Sequence, residues 1–220
     1  MGPYTHFILA ARLASPLQPD QPGEYYWGSV VPDIRYLAGL PREVTHVSPE
    51  MLDTWSHRYP HLRSFILGYR VHCLIDQVDV VQALGHAFPI NLLARLRHRP
   101  LSQAHLTLLV EMEYLRHAVP GAGLSASHNE VLEELGVTPR QSNDFGAAMA
   151  AYVQSHTIDA AFASYERLGM IDNPRGERYW HAYRELARNG LLMALYWLGI
   201  RNSHLEEHTL AYILSQLHTD

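Results

Sequence analysis

Apolar positions along this 220-residue chain recur mostly three and four residues apart, the spacing that gathers them on one face of a helix. No run of alternating β-branched residues competes with that pattern, so the expected fold is all-α. A first helix is predicted over roughly Tyr4 to Leu13, ended by Ser15-Pro16-Leu17-Gln18-Pro19 and the Pro22-Gly23 turn, because proline cannot continue the backbone ladder. Tyr25 to Asp33 comes next, with Pro32 favouring an irregular turn that sets Asp33 on a bend. Ser48-Pro49-Glu50 reads as an N-cap, a first-position proline and a first-turn acid, opening a short helix through about His57. From His61 to about Leu84 the periodicity is interrupted by Gly68 but by no proline, which predicts one long buried helix at the centre of a bundle. Further helices are expected over Leu101 to Ala118, His128 to Leu135, Gln141 to Leu168, Arg175 to Leu198 and Ser203 to Leu217.

Composition narrows the class. Apolar residues are 47% and charged residues 18% of the chain, enough to bury a core, and the length makes residues 1–220 one expected domain. The net charge of −5 comes without a basic run, which argues against binding duplex nucleic acid. No apolar window reaches the roughly 18 residues of a membrane span, and Met1 to Ala10 lacks the features of a signal peptide, so a cytoplasmic protein is expected. Gly190 to Ile200 is the best apolar stretch. The predicted Arg175 to Leu198 helix is apolar enough for core or for a dimer seam, so oligomerisation stays open.

Cys73 is the only cysteine, which excludes an intrachain disulfide and any metal cage of two thiolates from one chain. Flanked by Val71 and Leu74, it reads as buried and inert. Fifteen histidines are the unusual feature, and they turn attention to a metal held by His, Asp and Glu. The sharpest pair is His72 with Asp76, four apart on the predicted central helix, where Cβ atoms sit about 5 to 6 Å apart and both side chains can reach one ion or adjacent ions. An aspartate beside Val71, Leu74 and Ile75 needs a cation or strong donors. A plain hydrogen bond between the two is the alternative.

His6 in Thr-His-Phe-Ile-Leu-Ala, Asp33 in Gly-Ser-Val-Val-Pro-Asp-Ile, His46 in Thr-His-Val, and His72 with Asp76 in Gly-Tyr-Arg-Val-His-Cys-Leu-Ile-Asp follow in that order. In order and context they resemble the zinc-dependent phospholipase C family and its nuclease relatives over about the first eighty residues. The resemblance implies an all-helical fold with a zinc cluster in a cleft, hydrolysing phosphate esters. It implies His6, His46 and His72 as neutral ligands, Asp33 as a bridging carboxylate or the base orienting the attacking water, and Asp76 as partner of His72. One to three zinc ions are implied, two being the expectation, because Met1 stands where the family has a processed tryptophan amine. The substrate implied is a phospholipid head group or another small phosphodiester, here an intracellular one.

The family also has a histidine where Gln82 stands, and a later His-x-x-x-Glu pair whose match here is His181 with Glu185. A second candidate pair, read from the residues, is Glu111 and Glu113, carboxylates inside an apolar run that need a partner. His105 follows them, and His86 is too far along an unbroken helix. His204 and His208 form His-Leu-Glu-Glu-His, but Leu205 breaks the His-Glu-x-x-His pattern, so a solvated helix face is expected. Tyr25-Tyr26-Trp27 is expected to be core. Two other functions stay open: non-phosphoester chemistry at the same metal site, and a non-catalytic metal-binding helical protein.

Overall fold

The computed structural model describes residues 2–92, 103–115, 117, 123–155, 157–168, 177–178, 181–182, 184 and 190–217. Among the described residues every regular element is helical and none is a strand. Helix α1 (Pro3–Leu17) runs four residues past its predicted end, with Pro16 inside its last turn. A proline there removes one ladder bond only, and Gln18, in the left-handed conformation at φ 46°, closes the helix by donating to Ala14. Pro22 does not prolong a turn as expected. It occupies the first turn of α2 (Pro22–Val30), where a missing amide proton costs nothing.

A 3-10 turn (Val31–Ile34) containing Pro32 then carries Asp33, as the predicted bend required, and leads into the single turns α3 (Arg35–Ala38) and α4 (Arg42–Thr45). Helix α5 (Pro49–Arg58) is capped by Ser48, whose side chain accepts from the Met51 amide. The long central helix is two helices, a correction to the sequence reading. Helix α6 (Arg63–Ile75) ends at Asp76, and α7 (Val80–Gly85) restarts after Asp79, whose carboxylate caps the Gln82 amide at 3.0 Å. Aspartate accepts from exposed N2 and N3 amides, so Asp79 starts a helix better than it continues one.

The remaining described helices are Gln103–Tyr114, Glu130–Glu134, Pro139–Ser155, Ile158–Arg167, Gly190–Asn202 and Leu205–Leu217. The predicted Gln141 to Leu168 helix is thus divided, and the predicted Arg175 to Leu198 helix is described only in part, its last nine residues lying in Gly190–Asn202. Among the described residues no helix is long and apolar enough to cross a membrane.

Helices α2 and α6 form the tightest crossing, and glycine is the reason. A Cβ on Gly28 would lie 2.0 Å from the Phe65 carbonyl oxygen, and one on Gly68 would lie 1.9 Å from that of Tyr25. The two bare positions let the backbones touch. Large aromatics fill the space around them: Tyr4, Phe7, Tyr25, Trp27, Trp55, Phe65, Tyr69, Phe145 and Tyr152 are all buried. Their polar tips are satisfied, with Tyr25 donating to the Ala10 carbonyl at 3.0 Å and Trp27 to that of Ser127 at 2.9 Å. Tyr25, Tyr26 and Trp27 are therefore core, as expected.

Candidate metal centre

Five side chains from four separate elements meet at one end of the α2–α6 crossing. His6 lies on α1, Asp33 on the 3-10 turn, His46 just after α4, His72 in the last turn of α6, and Asp76 at its C-cap. Ligand atoms of His6, Asp33 and His72 fall within 4.8 Å of one another, as do those of His46, His72 and Asp76. Both groups have the residue types and spacing of a metal position, and His72 belongs to both.

Each imidazole is oriented from behind. His6 donates through Nδ1 to the Gly2 carbonyl at 2.8 Å, and His72 through Nδ1 to the Ser29 carbonyl at 2.8 Å. His46 Nδ1 stands 3.1 Å from the Thr45 hydroxyl, which itself donates to the Arg42 carbonyl. A carbonyl oxygen only accepts, so the ring proton of neutral His6 and His72 is committed to Nδ1 and the lone pair is turned inward at Nε2. The imidazole–carbonyl arrangement is the one that orients histidines bound to metals.

Inside the centre, acceptors face acceptors. His6 Nε2 lies 3.1 Å from Asp76 Oδ1, His46 Nε2 lies 3.0 Å from Asp76 Oδ2, and His72 Nε2 lies 3.3 Å from His46 Nε2. Neutral rings in these tautomers would bring lone pairs against a carboxylate, which only a cation among them, a metal ion or a proton, makes favourable. Arg42 supplies one positive charge from the rim, donating to Asp76 Oδ2 at 2.6 Å.

The electrostatics point the same way. Burial, then the neighbouring His6, holds the His72 imidazole well below its ordinary value, so it is neutral at pH 7. Burial pushes the Asp33 carboxyl up, opposed by His6 and reinforced by Asp76. For Asp76 burial also acts upward, but His46 and His6, against its two oxygens, outweigh it and hold the carboxyl below its ordinary value, as a shared positive charge between ring and carboxylate does. Below the unfolded-state value of 6.5, the unfolded chain binds a proton that folded His72 refuses. In chelator, stability should therefore fall as pH drops through 6.5, by up to about 1.4 kcal/mol per pH unit, in urea titrations at stepped pH. Asp33 acts in the opposite sense at the acid end, because its raised carboxyl takes up a proton more readily folded than unfolded.

No family model, no curated protein and no solved structure matches this chain. The geometry therefore stands by itself.

The other candidates are placed elsewhere or differently. Glu111 is buried, but its carboxylate accepts from the Tyr4 amide at 2.8 Å, the Thr5 amide at 2.9 Å, the Thr5 hydroxyl at 2.5 Å and the Tyr152 hydroxyl at 2.6 Å. Its partner is the first turn of α1, at the two residues directly before His6. Glu113 is paired with Arg201, whose Nε donates to it at 3.1 Å. Neither glutamate joins the grouped ligands. His181 is exposed on a helix, and Glu185 lies outside the described residues. His204 pairs with Glu207 on an exposed face, as expected. Burial pushes the Cys73 thiol up to about 12, which leaves no thiolate for nucleophilic work.

Sequence reasoning missed the supporting residues. Arg42 and Thr45 precede His46 by four and one positions, and the Tyr69 hydroxyl donates to the Thr45 carbonyl, tying the His46 turn to α6. A threonine before a histidine carries no signal alone.

Proposed function

We propose that this chain is a metal-dependent hydrolase that holds zinc at His6, Asp33, His46, His72 and Asp76 and acts on a phosphate ester. The observation that carries the reading is the convergence of three imidazoles, those of His6 and His72 with their lone pairs turned inward, on the buried Asp33 and the half-buried Asp76. All-N,O ligation of this kind suits zinc. The order and contexts of the five residues, resembling those of zinc-dependent phospholipases C, favour phosphoester chemistry and a small phosphodiester or lipid head group as substrate. A divalent ion bound there would lower the pKa of a coordinated water towards about 7 and offset charge growing on the phosphoryl oxygens. The chain's own contributions are distinct. His6 and His72 hold fixed tautomers, Asp76 draws the imidazoles together, and Asp33, whose carboxylate lies in the His6–His72 group, is the residue suited to orient the attacking water.

Elemental analysis of the purified chain after metal repletion, beside hydrolysis of a chromogenic phosphodiester, tests this. The expectation is at least one zinc per chain and an Asp33→Asn variant that keeps its helicity but turns over about 100-fold more slowly or worse. Absence of stoichiometric zinc after repletion would remove the reading.

A further inference from the structure

Beside the ligand cluster, one buried cation has a donor with no acceptor. The Arg35 side chain is only 8% exposed, and its Nε–H has no hydrogen-bond partner among the described residues. The rest of the guanidinium is fixed. One terminal nitrogen donates to the Tyr36 hydroxyl, and the guanidinium carbon stands 3.9 Å over the Tyr36 ring centroid. Stacking and hydrogen bond together set the plane of the fork. The orphaned Nε lies 3.9 Å from Asp33 Oδ1, too far for a hydrogen bond, and Asp33 belongs to the His6–Asp33–His72 group. Arg35 thus borders the cation position from the Asp33 side. Arg42 differs, since its side chain is 46% exposed and its charge is already taken by Asp76.

A rigid, buried guanidinium beside a site for a divalent ion calls for a ligand that satisfies both. An oxyanion does so, with one oxygen on the guanidinium and another on the ion, and a tetrahedral oxyanion keeps a further position for the group to be cleaved. We propose that Arg35 is the oxyanion-binding residue of this site and takes a non-bridging oxygen of the substrate's phosphoryl group. The proposal rests on the phosphoester reading above and adds to it the residue that recognises the phosphate. Lysine would not replace arginine here, because a point charge on a flexible stem cannot keep the plane set by Tyr36.

The test is calorimetric titration of inorganic phosphate into the zinc-repleted full chain, with zinc counted in the same samples. Wild type should bind phosphate, Arg35→Lys should bind it about tenfold more weakly, and Arg35→Met more weakly still, all with unchanged zinc content and helicity. If Arg35→Met loses helicity, Arg35→Lys alone carries the comparison. Zinc-loaded variants that bind phosphate within about twofold of wild type overturn the proposal and leave the metal reading standing. A wild-type chain that holds no zinc overturns both, and the zinc count separates the two failures.

Discussion

Gly68→Ala is expected to cost about 3 kcal/mol or more and to dismantle the metal centre with it. The added Cβ would lie 1.9 Å from the Tyr25 carbonyl oxygen and 2.9 Å from the Ser29 amide nitrogen. Both neighbours are backbone of a packed helix, so no side-chain rotamer relieves the clash and α2 must move from α6. That movement reaches the site directly, because the Ser29 carbonyl on α2 fixes His72 on α6. Urea unfolding should show the loss of stability, and the surviving folded fraction should bind zinc more weakly than wild type. A variant with wild-type midpoint and zinc affinity would show that the crossing is not as close as described.

Glu111→Ala should also be severe, at about 3 to 5 kcal/mol, because it strands four donors: two amides and the Thr5 hydroxyl at the start of α1, and the Tyr152 hydroxyl on Pro139–Ser155. All four are buried around a carboxylate that also complements the positive end of the helix. Glu111→Gln, able to accept through one oxygen only, should lose part of that stability. Measured without metal, the loss separates an anchor from a ligand. An anchor variant unfolds earlier in chelator yet still fills with zinc at saturation, whereas a ligand variant keeps its metal-free stability and binds fewer ions.

How far the sequence reaches is visible in these residues. Periodicity revealed an all-helical chain because most helices bury one face, and Ser48-Pro49-Glu50 marked the start of α5 through a purely local cap. The break between α6 and α7 escaped notice because apolar spacing continues across it, while the competing signal was a single capping aspartate. At the site, the need of Asp76 for a cation or strong donors was legible from its apolar neighbours, and the company of His6, Asp33, His46 and His72 from their order and contexts. Glu111 illustrates the limit. An acid in an apolar run does need a partner, but nothing local distinguishes an ion from backbone amides 106 and 107 residues away. Arg35 shows the converse, since only the spatial arrangement reveals that its Nε–H lacks an acceptor.

The five candidate ligands all fall between His6 and Asp76, whereas the glutamate that holds α1 in place comes from Gln103–Tyr114. A chain emerging from the ribosome N-terminus first therefore exposes every ligand before the anchor of α1 has been synthesised. On the proposed metal reading, ion capture and the docking of α1 are separable events in biogenesis, and metal supply during translation bears on which comes first.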